Sequence, residues 1–260
     1  MKSEIRKALA KIELDENVRV LLAVESGSRA WGFPSKDSDW DVRFIYLRAP
    51  EWYLSVQKRR DVLEFPLCDG LDVNGWDLQK ALGLLAKSNP TLLEWLRSPT
   101  IYLERPSVAI PLRQAAARFF SQYACMHHYL HMGEGNYAEY LKGERVRVKK
   151  YFYALRPILA CRWIAAHGTI PPMEFDRLVQ DQLPVELRPI VDDLVARKRA
   201  GDELDSGPRI PEINRFLDSE IKKLNSGLPA LGNPHAEDWE ALDLLFRGAI
   251  HAVWEAGGPS

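Results

Sequence analysis

Two strand-forming runs joined by a turn-rich spacer, residues 18–47, constrain this chain more than any other feature. An apolar run, residues 20–24, leads into Gly27-Ser28. Asp39-Trp40-Asp41 follows, and a second β-rich run covers residues 42–47. Successive strand side chains point to opposite faces, so Asp39 and Asp41 share a face with their carboxylates side by side. Two such charges repel unless a cation separates them. A hard divalent ion such as Mg2+, which takes few carboxylates plus phosphate oxygens, is suited to that task. Gly27 lets the backbone approach a ligand closely. Ser28 offers a hydroxyl and an N–H where the next turn begins, an arrangement suited to phosphate. Together these residues read as a site for a metal-bound nucleoside triphosphate.

The order strand, Gly-Ser, spacer, Asp-x-Asp, strand resembles the signature of the DNA polymerase β-like nucleotidyltransferase superfamily. The finer texture is GSRAWGFPSKDSDWDVRFIY, then GWDLQKALGLLAKSNPTLLEWLRSP and VKKYFYALRPILACRWI. It resembles the RNA-repair-pathway nucleotidyltransferases of bacteria and phages, often encoded near RNA ligases. The resemblance runs to about Pro172 and fades after it. Gly-Ser alone is a weak signal; combined with Asp-x-Asp in a strand context it is strong. The resemblance implies an α+β fold, with a small mixed-sheet nucleotidyltransferase domain, an all-helical domain, and the active site in the cleft between them. It implies transfer of a nucleoside monophosphate from an NTP to an acceptor hydroxyl with release of pyrophosphate, supported by Mg2+ or Mn2+, with two ions expected. The acceptor it suggests is an RNA 3′ end, and the context an RNA ligase pathway. Asp39 and Asp41 would hold the metals, and Gly27 and Ser28 would seat the triphosphate. Enzymes of this superfamily usually add a third carboxylate from a neighbouring strand. Asp72, an acid flanked by apolar strand residues, matches best and would act as general base. Asp77 is the runner-up, although its place before Leu78 suits a helix cap, and Glu64 comes third.

Composition narrows the remaining choices. A chain of 260 residues can form one large domain or two modest ones, and 46% hydrophobic residues can fill a core. The formal net charge of −1 leaves no global basic field, so RNA binding needs a local patch. Cys68, Cys125 and Cys161 are odd in number and widely spaced in apolar surroundings. They read as buried thiols of a reducing cytoplasm, not as a disulfide framework or a zinc site. No signal-peptide pattern and no membrane-length apolar run is visible, so a cytoplasmic protein is expected.

Periodicity and turn chemistry predict a helix over residues 3–11 and strands over 18–24, 42–47, 61–67, 71–76 and 101–103. The gap between residues 28 and 39 reads as irregular, and a short helix is expected near 51–56. Asp69-Gly70 is a hairpin signal. Helices follow over 78–86, capped by Asp77, and over 91–96. Beyond that the chain reads as almost all helix: 107–132, 137–167, 172–180, 185–199, 211–224 and 235–254, with an exposed loop over 201–211. The expected domains are therefore residues 1–106 and 107–260.

Each candidate residue has a plainer reading beside it. Asp39 could belong to a turn, given Lys36-Asp37-Ser38-Asp39. Asp41 opens a run apolar enough for a central strand, where an unpaired carboxylate is costly. Arg29, directly after Gly27-Ser28, is a phosphate contact candidate, and Arg43 is either that or a partner of the acids. On a helix over 145–156, Arg145, Lys149, Tyr153 and Arg156 share one face. They offer charge for phosphate and a ring for a base, or simply a solvated face. His127 and His131 have helical metal spacing without a third ligand, and Trp76, Trp95 and Trp163 read as packing residues. Two rival functions stay open: adenylylation of a protein hydroxyl (as in antitoxin relatives) or of a small molecule, and a non-catalytic nucleotide-binding module. Which NTP is used, whether a template is read and what oligomer forms are also left open.

Overall fold

The computed structural model describes residues 1–201, 206–231 and 238–255. The chain packs as two compact units. The first contains Met1–Ala30, Asp39–Phe119 and Ala236–Ser260; the second contains Trp31–Ser38 and Phe120–His235. The composition change at Arg105-Pro106 marks the start of a helix inside the first unit, with Pro106 in its first turn.

The first unit is built on a five-stranded sheet of order β3-β4-β2-β1-β5. The strands are β1 (Val18–Glu25), β2 (Trp40–Arg48), β3 (Val62–Glu64), β4 (Leu71–Asp77) and β5 (Ile101–Glu104). Only β2 and β4 run parallel; the other pairs are antiparallel. Nearly every residue of β1 is buried, as expected of a strand covered on both faces. One cover is α1 (Lys2–Asp15), whose Ile5, Leu9 and Ile12 pack with Val18, Val20, Val42, Phe44, Tyr46 and Tyr102. Helices α4 (Leu78–Ala86) and α5 (Pro90–Leu96) bury Leu82, Leu85, Leu92 and Leu93, and Trp95 stacks on Trp76 of β4 with centroids 3.9 Å apart. α6 (Pro106–Arg118) and α12 (Trp239–Ile250) complete this unit, and short helices α2 (Gly27–Trp31) and α3 (Pro50–Tyr53) follow β1 and β2.

The Asp69-Gly70 signal holds. Both residues have positive φ, +50° and +72°, between the paired Cys68 and Leu71, as a two-residue hairpin loop requires. The strand expected over 61–67 shrinks to β3, with one further backbone bond beyond it, from the Phe65 N–H to the Val73 carbonyl at 3.2 Å. Cys68 is exposed at the hairpin end, not buried as expected; Cys125 and Cys161 are buried.

The second unit is mostly helical: α7 (Gln122–Tyr140), α8 (Lys150–His167), α9 (Phe175–Gln182), α10 (Arg188–Ala200) and α11 (Pro211–Gly227). Gly133 of α7 leaves room for Ile158 of α8; a Cβ there would lie 2.8 Å from its Cδ1. Segment 31–38 belongs to this unit. Phe33 is buried, stacked on Phe152 at 4.8 Å and edge-on to Phe175 at 5.4 Å. Arg199 donates to the Gly32 carbonyl at 2.8 Å.

Two long helices expected from the sequence are each broken. The helix over 107–132 stops at Arg118, and Ser121 caps α7 by accepting from the Ala124 N–H. The helix over 137–167 is interrupted by a ribbon, β6 (Arg145–Val146) paired antiparallel with β7 (Gly207–Pro208). Its cause is an alternation: Val146 and Val148 are buried while Arg145, Arg147 and Lys149 are exposed. The start of the helix expected over 235–254 and part of the loop over 201–211 lie outside the described residues. Among the described residues, no helix is long and apolar enough to cross a membrane.

Gly75 of β4 lies opposite Phe44 of β2, and a Cβ at Gly75 would sit 2.3 Å from the Phe44 ring. Gly75→Ala is expected to destabilise the protein by about 1–3 kcal/mol through overpacking. Urea unfolding monitored by circular dichroism checks this; an unchanged midpoint would show that the ring can move aside.

Candidate active site

The residues of the opening motif meet where β1 ends and β2 and β4 begin. In place of an irregular gap, Gly27–Trp31 forms the five-residue α2, with Ser28 and Arg29 in it. Gly27 has φ +57°, and a Cβ on it would lie 2.1 Å from Asp41 Oδ2. Glycine is therefore needed twice, for the left-handed backbone and for the space the carboxylate fills. The Ser26 N–H donates to the Asp41 carbonyl at 2.8 Å, tying this turn to β2.

The parallel register sets Asp41 directly beside Asp72. Arg43 lies against both: its Nη2 is 2.7 Å from Asp72 Oδ2 and 3.3 Å from Asp41 Oδ1, and its Nη1 donates to the Asp72 carbonyl at 3.0 Å. Asn74 donates to the other Asp72 oxygen at 2.7 Å. Asp39, just before β2, is exposed. Arg29 donates to the Asp39 carbonyl at 3.1 Å and stacks over Trp40 at 3.9 Å. Burial raises the Asp41 pKa, and the charges of Asp72 and Asp39 add to this against the opposing Arg43.

Glu25 carries no signal in the motif but proves central to its geometry. It is 1% exposed; its Oε1 accepts from the Asp41 N–H at 3.0 Å and its Oε2 from the Tyr102 hydroxyl. Burial pushes its pKa up. The sequence does hold a trace of this role, an acid closing the buried apolar run of residues 20–24.

The other acids are placed elsewhere. Asp77 is buried at the far end of β4, where it caps α4 by accepting from the Gln79 N–H and receives the Tyr53 hydroxyl at 2.8 Å. Glu64 is exposed and paired with Arg60. Of the three alternatives, the register brings Asp72 to Asp41. Among the described residues, no three His, Cys, Asp or Glu side chains form a ready-made metal cage. The three aspartates nonetheless suit Mg2+, an oxygen-seeking ion that keeps several waters and binds through one or two carboxylates together with substrate phosphates.

Lys149, Tyr153 and Arg156 lie in the second unit and do not share a continuous helix face with Arg145, which is in β6. Lys149 precedes the first turn of α8, and Tyr153 is 44% exposed, edge-on to Trp31 at 5.5 Å. Arg156 is buried, donating to the Met173 carbonyl at 3.3 Å with its guanidinium over Trp31 at 4.7 Å. It packs inward where a solvent-facing phosphate contact was expected. His127 and His131 are exposed on α7, and among the described residues no group of three His, Cys, Asp or Glu forms a metal site there.

Burial raises the Asp77 pKa to about 6. An acid with a raised folded-state pKa stabilises the fold below its unfolded pKa, and that contribution is lost as pH rises through the folded value. The wild type should therefore gain stability relative to Asp77→Asn as pH falls from about 7 to about 4. Thermal midpoints of both proteins across that range test the sign; parallel profiles would refute it.

Comparison with known proteins places the chain in a family. Residues 1–248 match the family described as RNA repair pathway DNA polymerase beta family, well beyond Pro172, where the resemblance was expected to fade. The uncharacterized protein YcgL of Bacillus subtilis (strain 168) is 46% identical over 259 residues, covering 99% of this chain and 100% of that protein. A solved structure, the nucleotidyltransferase-like protein from Exiguobacterium sibiricum 255-15, aligns with 95% of this chain and 76% of its own at 12% identity. Its TM-score is 0.31. By the match across its length, the chain belongs to the RNA repair pathway DNA polymerase beta family, and so to the polymerase β-like nucleotidyltransferases.

Proposed function

We propose that the protein transfers a nucleoside monophosphate from an NTP to an acceptor hydroxyl, with an RNA 3′ end as the acceptor. The observation that carries this reading is the in-register pair Asp41 and Asp72, with Gly27 leaving space for the Asp41 carboxylate. Asp39 and Asp41 would hold Mg2+ or Mn2+, with Asp72 completing the set for two ions. The metal would supply charge neutralisation and Lewis acidity at the phosphates.

The residues then divide the work. The acceptor oxygen attacks the α-phosphorus, the bond from that phosphorus to the bridging oxygen breaks, and pyrophosphate leaves. Asp72 takes the hydroxyl proton, and Asn74 and Arg43 orient its carboxylate. Gly27 and Ser28 would seat the triphosphate, and Arg29, steadied by Trp40, would meet its oxygens. Lys149 and Tyr153 offer a cation and a ring for phosphate and base recognition, while the burial of Arg156 suits it to holding Trp31. Catalysis of this kind rests mainly on positioning and charge neutralisation. The family's description as an RNA repair pathway supports the RNA acceptor.

The test is incubation of the purified protein with Mg2+, each labelled NTP in turn and a short single-stranded RNA, followed by a denaturing gel. The wild type is expected to extend the RNA. Asp39→Asn and Asp41→Asn should lose at least about 100-fold, since ligands should matter more than the outer-shell groups worth 10–100-fold. Gly27→Ala should lose activity, because its Cβ takes the space of the Asp41 carboxylate and strains the left-handed backbone, and a circular dichroism spectrum matching wild type shows that the variant is folded. Equal rates for all four proteins would refute the site. Label on a protein band instead would move the acceptor from RNA to a protein hydroxyl.

A further inference from the structure

The ribbon that interrupts the helical unit carries a concentration of charge unlike the rest of the chain. Residues 142–150 contain Lys142, Arg145, Arg147, Lys149 and Lys150 against a single acid, Glu144, in a protein whose net charge is −1. Arg209, just after β7, joins them through its N–H, which donates to the Glu144 carbonyl at 3.0 Å. Lys142, Arg145, Arg147 and Arg209 are exposed. Among the described residues, no carboxylate forms an ion pair with Lys142, Arg145, Arg147, Lys150 or Arg209.

Tyrosine rings hold several of these cations in place. Lys150 Nζ lies 4.2 Å from the Tyr140 ring centroid, the Arg147 guanidinium lies 5.6 Å from the same ring, and Lys142 Nζ lies 5.7 Å from Tyr137. Arg145 donates to Ser206 Oγ at 3.4 Å. A cation steadied by a ring loses less conformational freedom when it meets an anion. The apolar residues of the segment, Leu141, Val146 and Val148, are buried at 0%, 4% and 6% exposure. No apolar anchor is therefore offered to a lipid surface, which would need one. Residues two apart in an extended segment repeat at about 7 Å, close to the step between successive phosphates of an extended single strand.

We propose that the β6–β7 ribbon and its flanks bind the phosphate backbone of single-stranded RNA through Lys142, Arg145, Arg147, Lys150 and Arg209. This goes beyond the carboxylate site by naming the surface that would take the polyanion, and it rests on the RNA-acceptor reading. The chain has no overall basic field, so a local patch of this kind is what RNA binding would require.

The test is fluorescence anisotropy of a labelled 12-nucleotide RNA with the full-length protein and with Lys142→Gln/Arg145→Gln/Arg147→Gln across salt concentrations. The triple variant should bind at least about tenfold more weakly, with a salt slope shallower by about 2, from roughly 0.7 per lost single-strand phosphate contact. Arg145→Lys/Arg147→Lys should retain binding, and matched circular dichroism spectra show that the variants are folded. Triple-variant binding within twofold of wild type, or no RNA binding by the wild type, would overturn the proposal. The extension assay separates the two readings. Ribbon-dependent binding without RNA extension keeps the surface and refutes the acceptor. RNA extension with a triple variant that binds like wild type refutes the surface alone.

Discussion

The apposition of Asp41 and Asp72 in a parallel strand pair is the constraint on which the site depends. Two carboxylates placed side by side repel, and burial makes that repulsion stronger because less water screens it. Arg43 offsets part of it from one side. The remaining contacts hold Asp41 where it is: Glu25 grips its N–H, Ser26 its carbonyl, and Gly27 leaves its carboxylate room. A fold that relied on stability alone would have little use for this crowding. A site that must accept a cation and phosphate oxygens has every use for it.

The same motif also supplies structure to the second unit. Between Gly27-Ser28 and Asp39, the chain contributes Trp31 and Phe33 to an aromatic cluster with Phe152, Tyr153 and Phe175, and Arg199 fastens Gly32. The spacer is thus a packing segment as well as a connection. Its aromatic and proline content follows from that burden.

The strands and the carboxylates were legible in the sequence because their signals are local. β1 and β2 are largely apolar runs, β4 opens on the alternation Leu71-Asp72-Val73-Asn74, Asp69-Gly70 is a hairpin loop with two positive φ angles, and Asp77 caps α4 as expected. The parallel register that sets Asp72, and not Asp77, beside Asp41 is a long-range fact, and the sequence could only suggest it. Glu25 has only a weak local mark, an acid at the end of a buried apolar run, and its partner Tyr102 lies 77 residues away in sequence. The helix over 137–167 failed for a different reason. Arg145-Val146-Arg147-Val148 alternates with period two, and helix-forming neighbours on both sides masked a four-residue strand signal. Arg156 is buried on α8, because helical spacing says nothing about which face meets a core.

The most direct measurement is Mn2+ binding followed by electron paramagnetic resonance, with a non-hydrolysable NTP analogue, in wild type and Asp41→Asn. If the carboxylates hold the metal, Mn2+ binds the wild type in the presence of nucleotide, and the substitution weakens that binding at least tenfold (about 1.4 kcal/mol). Equal Mn2+ affinity in the two proteins would contradict the account, leaving the crowded aspartates as a feature of the fold alone.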